Sequence, residues 1–544
     1  MNFLSKAFSG LLTFFYVSVS IAFSQEYHLG KINFEATGDE VAQSYFEKGL
    51  LLLHNFEYTE AAQEFEMAQL LDPNFVMAYW GEAMCYNQSL WFQQDVKKGR
   101  GALYKLGVKA SERLEKAKTE LEKNFISSIE LLYEEDTDIK VRNGNYEKSM
   151  AELHKNHPES DEAAAFYALS ILGNCYTGEE KEKYDLAARV LMKLNAKSPE
   201  HPGALNYTIH LYDDPVKAYK GKNAANEYFK LATDSKYALH APSHIFLANG
   251  DWEKVVKSNE ASWNATEAWV KKKKKSLEDR DYHSLWWLHY GYLQQGKYQK
   301  ALDLVNNLNY ESKYSKSERI RFHLAMLRGH YLVESGKWLG DVTKIEIPTK
   351  GFSISAKNMC FFVDAMAALE KKDFPRVDWY LNQMTDQRMV EQNNTKEFQD
   401  FRNCSTMPIL RKTGLEQEFA LAEVLEWELK AINAMKTNKL EEALEHIKKA
   451  VDLEDHTRYE PGPPVVLKPS HEIYGEILLA MGNSQEAIKQ FDLALQSAPN
   501  RSLSMLGKYK ALKQLGETKK ATQIKALLMA NWKDADEQAL TLME

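Results

Sequence analysis

The sequence predicts an all-α solenoid of antiparallel helix pairs, and three observations carry that expectation. Small and aromatic residues recur with a fixed period towards the C-terminus. Short glycine–aromatic turns are reused in the middle of the chain. No alternating Val/Ile/Thr run is long enough to argue for a sheet.

The first helix pair is read from residues 45–73, YFEKGLLLLHNFEYTEAAQEFEMAQLLDP. Tyr45, Gly49 and Leu52 share one face of a first helix. Tyr58, Ala61, Phe65 and Ala68 share one face of a second, which Pro73 stops. Gly49, Ala61 and Ala68 let the helices approach, while Tyr45 and Phe65 fill the space between them. Near the C-terminus, Gly475, Gly482, Ala487, Phe491, Ala494 and Pro499 repeat this arrangement. Gly516 follows Gly482 by 34 residues, and Ala521 follows Ala487 by the same 34. The preceding unit carries Trp427, Ala431, Leu440, Ala443, Ile447 and Ala450. A 34-residue period of this kind is that of tetratricopeptide (TPR) repeats, in which each pair buries its apolar face only against its neighbours. The expected fold is therefore a TPR-type α-solenoid, a right-handed superhelix of antiparallel helix pairs.

Between the ends the pattern continues with insertions. Leu285, His289, Tyr292, Gly296, Tyr298, Ala301 and Val305 form one unit. Phe246, Gly250, Trp252 and Val255 form a looser one, and Tyr184, Ala187, Leu191 and Pro199 close another. GKY, GDW and GKW read as one turn used three times, each before a helix. GFSISAKN after Lys350 and EQNNTKEFQDFRNCS around Asn394 read as linkers. EPGPPVVLKPS, from Glu460, is not helical across Pro463 and Pro464 and is expected to cross the open face of the solenoid. The division that follows is a signal peptide over 1–24, N-terminal repeats over 25–135, and central repeats with a His/Trp-rich groove over 136–320. Irregular repeats then span 321–410, and C-terminal repeats span 411–544.

With 44% hydrophobic residues in 544, the chain has ample material for a continuous core. Its net charge of −8 repels phosphate backbones, which argues against nucleic acid as a general partner. Lys6, an apolar run from Gly10 to Phe23, and Ala22-Phe23-Ser24 have the form of a cleaved export signal. The run is short for a membrane anchor and is diluted by serines and a threonine. Periplasmic or secreted localisation follows, with the membrane met only through that signal. Cys85, Cys175, Cys360 and Cys404 lack a framework spacing and read as small buried hydrophobes.

The histidines concentrate centrally. HPGALNYTIH holds His201 and His210, HAPSHIFLANGDW holds His240 and His244, and DYHSLWWLHY holds His283 and His289. HPGALNYTIH, HAPSHI and the Asp-Tyr-His-x-Leu-Trp pattern of Asp281 to Trp286 resemble segments of a family of large exported bacterial TPR proteins. FEYTEAAQEFEMAQLLDPNFVMAYWGEAM near the N-terminus, and KPSHEIYGEILLAMG with APNRSLSMLG near the C-terminus, resemble that family too. The resemblance implies fold and export, and it assigns no reaction.

If the first helix of each pair lines the groove, His210, His244 and His283 sit on successive first helices. His240 and His244 are one turn apart, a metal-ligand spacing, but Pro242 between them can aim His240 elsewhere. Asp213 and Asp214 either complete a mixed site or cap a helix before Pro215. No HExxH, CxxC or paired-carboxylate motif, phosphate loop or nucleophile elbow accompanies them, so no catalytic residue, metal or cofactor is assigned. The candidate ligand-binding residues are His201, His210, His240, His244, His283, Trp286 and Trp287. Hydrogen-bonded structural histidines rank first as a reading, contacts to an organic or peptide ligand second, and metal third. Trp286 and Trp287 are adjacent on a helix and cannot both face inward, so one is expected in the groove or against an adjoining repeat. Lys271 to Lys275 reads as a solvated helix end. The function expected is a scaffold binding a protein, peptide or other ligand in its groove. The alternative is a ligand-binding or metal-dependent enzyme built on the histidine cluster. Self-association is open.

Overall fold

The computed structural model describes residues 27–175, 180–397 and 414–543. Among them the chain is helical throughout, apart from a two-residue antiparallel pairing of Asn87–Gln88 with Gln93–Gln94. The architecture is the expected TPR-type solenoid. Helix Glu40–His54 packs on Tyr58–Leu71, Leu440–Asp455 on Leu415–Lys436, and Ser484–Ser497 on Ser470–Ala480.

One packing device is used at both ends of the chain. The Phe65 ring lies between Gly49 and Gly81, where an added Cβ would come within 2.9 and 2.4 Å of it. The Phe491 ring lies in the same way between Gly475 and Gly507, at 2.7 and 2.3 Å. In both cases the phenylalanine is 16 positions from either glycine. Each aromatic occupies the volume that two missing side chains leave, and it holds three consecutive helices together. The reused turns also behave as one device: Gly250, Gly296 and Gly336 have φ of +67°, +66° and +66°. That left-handed conformation costs glycine little and other residues more. GKW departs from the expectation. A turn and a short 3-10 segment, Asp341–Lys344, follow Trp338 instead of an α-helix.

Two segments read as linkers are more helical than expected. Ser353 caps helix Ile354–Glu370 by accepting from the Ala356 N–H, so most of GFSISAKN belongs to a helix start. Helix Phe374–Glu397 runs through Asn394 and ends the described part of that stretch. Residues 398–413, and with them Cys404, lie outside the described residues, as does the expected export signal. Cys85, Cys175 and Cys360 are buried free thiols. No described helix is long and apolar enough to cross a membrane.

Both ends of the chain dock back on the middle. The Asn206 amide donates to the His54 carbonyl at 2.9 Å, and the Tyr228 hydroxyl to Asn55 Oδ1 at 2.6 Å. From the other end, Ser502 N–H and Oγ–H bond to Gln294 Oε1 and its carbonyl at 2.9 and 2.6 Å. Trp252 Nε1 donates to the Asn500 carbonyl at 2.8 Å. Arg501, fully buried, ties four helices together: it meets Glu334 at 2.5 Å, Glu472 at 2.9 Å and the Tyr290 hydroxyl at 2.9 Å. Buried apolar residues accordingly gather in a large N-terminal cluster from Leu29 to Leu211 and a large C-terminal one from Val256 to Ala539. A smaller cluster, Leu205 to Tyr290, lies between them. The central histidines sit on the helices of this middle cluster.

Candidate functional site

Four of the predicted histidines converge. His210 lies near the end of helix Pro202–Leu211, His244 on Pro242–Ala248 and His283 on Tyr282–Gln294. Pro242 does not divert His240. Ala241 keeps α-helical angles (φ −51°, ψ −38°), so the short helix Lys236–His240 runs into the next one with its rise intact. The His240 and His244 rings therefore remain one turn apart, with centroids at 5.1 Å. His283 closes the group at 4.8 Å from His240 and 6.4 Å from His244, and His210 flanks His244 at 5.2 Å.

Trp287 forms the floor. Its ring lies 4.4 Å from that of His244, 5.0 Å from His240 and 5.5 Å from His283. The proline-rich loop packs against it: a Cβ on Gly462 would come within 2.7 Å of the Trp287 ring. Leu467, further along, is buried against Gly329 and near Met359. Both Trp286 and Trp287 are buried, and they face different ways, as adjacent positions on a helix must. Trp287 faces the histidines. Trp286, about 100° round the helix, packs on Phe322 and His330 of the adjoining repeat.

Hydrogen bonds fix the imidazoles. The Asn259 amide nitrogen donates to the Val255 carbonyl at 2.8 Å, a group that only accepts. Its Oδ1 therefore faces His240 Nδ1, at 2.6 Å, and must accept a proton from it. That assigns the Nδ1–H tautomer and leaves Nε2 as a bare lone pair, buried and without a partner among the described residues. Burial, then the neighbouring His244, pushes the His240 pKa down to about 4, so the ring is neutral near pH 7. Asp213 Oδ2 lies 2.5 Å from His244 Nδ1 and orients that ring in the same sense. Burial, followed by His240 and His244, holds His283 well below its ordinary value. The donor nitrogens of His240, His244 and His283 lie within 4.8 Å of one another, a spacing one metal ion can bridge. His210, Asp213 and His244 form a second such group.

Asp213 and Asp214 thus divide the two roles considered for them. Asp213 joins the histidines, while Asp214 accepts from the Val216 N–H at 2.8 Å and shapes the turn. Sequence reasoning missed Asn259, which lies on helix Trp252–Lys273 with no motif around it. It also missed Tyr237, whose hydroxyl meets His210 Nε2 at 2.6 Å. Trp91 was missed as well: the small hairpin brings its ring to 6.4 Å from that of His210.

His201 is elsewhere. It caps helix Pro202–Leu211, its Nδ1 accepting from Ala204 N–H at 3.1 Å, so its Nε2–H donates to Glu162 Oε1, also at 3.1 Å. The other Glu162 oxygen lies 2.6 Å from His54 Nε2, and His54 Nδ1 meets the Tyr207 hydroxyl at 2.8 Å. All four ring nitrogens are engaged within the buried protein. These donor atoms are also close enough for an ion, yet each already has a partner, which is the structural role first considered for the central histidines.

No protein-family model and no curated protein matches the sequence. Several solved helical-repeat structures are similar along most of the chain. Human IFIT1, in its dimer with m7Gppp-AAAA, is 12% identical with a TM-score of 0.32, covering 91% of each chain. Yeast Tom70 is 13% identical with a TM-score of 0.25, covering 93% of this chain and 95% of that one. The APC/C hetero-tetramer Cut9-Hcn1 gives 12% and 0.24, over 92% and 95%. Likeness at this level bears on neither ligand nor reaction.

Proposed function

We propose that this TPR-type scaffold holds a divalent transition-metal ion at its centre, on His240, His244 and His283. The observation that carries the reading is the bare Nε2 of His240, buried without a partner and held in place by Asn259. An unpaired buried acceptor costs roughly 1–3 kcal/mol, and coordination to an ion would supply the missing partner. An imidazole whose remote nitrogen donates to an amide or carboxylate oxygen is the usual form of a metal-bound histidine, and His240 and His244 both have it. All-nitrogen donors suit zinc, copper, nickel or iron over magnesium or calcium. The nearby carboxylates of Asp213 and Asp281, both of which act on His240, offset the charge that three neutral imidazoles leave uncompensated.

The ranking of the sequence-based readings therefore changes, with metal moved from last to first for His240, His244 and His283. A peptide lying on Trp287 is disfavoured, because Gly462 already packs on that ring. Protein partners are assigned to the remaining repeat surface, and export through residues 1–24 stays part of the proposal. Elemental analysis of the full-length protein, dialysed against buffer without chelator, tests the site. The expected result is one or more equivalents of zinc, copper, nickel or iron, reduced in His240→Ala and His283→Ala. Metal-free protein that also fails to take up added zinc or copper refutes it.

A further inference from the structure

We infer that the histidine cluster binds a second ion, on His210, Asp213 and His244, with the His244 ring bridging the two. This extends the proposed function and shares one residue with it.

His244 belongs to both donor groups. With Nδ1 lying 2.5 Å from Asp213 Oδ2, Nε2 is the nitrogen left for the first site. Were Asp213 only an orienting group, a protein donor would be expected at its other oxygen. Instead Asp213 Oδ1 is buried with no hydrogen-bond partner among the described residues, and the side chain is only 5% exposed. A buried, unpaired carboxylate oxygen is costly and is a natural cation ligand. His210 completes the group, with its ring 5.2 Å from that of His244 and steadied by the Tyr237 hydroxyl.

The charges and protons balance. Each ion is a dication. The second displaces the His244 Nδ1 proton, which is released to solvent, and the ring becomes a bridging imidazolate. That anion and the Asp213 carboxylate partly neutralise the pair. The ligands chosen are nitrogen-rich with one oxygen, which points to copper or zinc as the class of ion.

The test is a Cu(II) titration of the full-length protein, with stoichiometry and electron paramagnetic resonance read together. Wild type is expected to bind two equivalents, and spin coupling through the imidazolate should make its signal per copper smaller than that of a single-ion variant. His210→Gln and Asp213→Asn should each bind one equivalent with full signal, and His283→Ala should bind one at the other position. Far-UV circular dichroism checks that each variant remains folded. One equivalent in wild type, unchanged in His210→Gln and Asp213→Asn, overturns the second site and leaves the first standing. One equivalent that survives His240→Ala but disappears in Asp213→Asn overturns the first and also the bridge. No binding at all overturns both.

Discussion

The Asn259 side chain accepts the Nδ1 proton of His240 at 2.6 Å while donating its own amide to the Val255 carbonyl, so one amide sets both the orientation and the tautomer of an imidazole. Replacing Asn259 by Ala frees the ring to rotate and to change tautomer. Metal affinity should fall about 10- to 100-fold, the usual effect of losing such a partner. Competition against a chromophoric chelator measures it. Unchanged affinity would show that the amide contributes packing alone.

Gly462 tests the loop that rests on Trp287. Its φ is +116°, a region other residues avoid, and a Cβ there would press on the Trp287 ring at 2.7 Å. Gly462→Val should lift the loop, shift Trp287 emission towards solvent-exposed wavelengths and accelerate proteolysis between residues 457 and 469. An unaltered emission spectrum and digestion pattern would mean the loop does not rest on Trp287.

The paired glycine–phenylalanine contacts make a matched prediction. Gly81→Ala and Gly507→Ala should each destabilise the chain by about 1–3 kcal/mol through overpacking against Phe65 and Phe491. Phe65→Ala and Phe491→Ala should cost about 3–5 kcal/mol by leaving cavities. Denaturant titrations supply the values, and near-zero costs for both glycine variants would contradict the packing described.

Arg501 is buried between Glu334 and Glu472 and joins the C-terminal repeats to the centre. Arg501→Met leaves two buried carboxylates poorly paired and should cost about 3–5 kcal/mol. The double variant that adds Glu334→Gln should recover part of the loss. Additive losses in the double variant would argue against a direct ion pair.

Acid should weaken the fold, with a sign set by the buried neutral histidines. Burial pushes His289 down to about 3 from its ordinary 6.5. The folded state therefore refuses a proton that the unfolded chain accepts. The stabilisation is complete above pH 6.5 and is lost as pH falls from there towards 3, reaching about 2 kcal/mol at pH 5 for this residue. His54 and His323 are lowered by burial in the same direction. Unfolding free energies at pH 7.5 and 5.0 should differ by about 2 kcal/mol less in His289→Phe than in wild type.

The repeat fold was legible because its physics is local. Gly482 and Ala487 recur one 34-residue repeat later as Gly516 and Ala521, and a one-dimensional period reports them. The clustering of His210, His244 and His283 was legible in outline, since it needs only successive first helices. What the sequence does not carry is the reach between elements. Asn259 meets His240 across two helices, and His201 turns away because it caps a helix and serves Glu162. Trp91 arrives on a two-residue hairpin too short to leave an alternating pattern. Arg501, in turn, finds Tyr290 only because the chain closes back on itself, and no local pattern records that return.

Cobalt(II) titration of metal-free, full-length protein, followed by visible absorption, reads coordination at His240, His244 and His283. A saturable ligand-field spectrum of nitrogen-rich coordination is predicted, with affinity reduced at least tenfold in both His240→Ala and His283→Ala while helicity is retained. A featureless titration, or a spectrum indifferent to both substitutions, would contradict a metal ion at the centre of the solenoid.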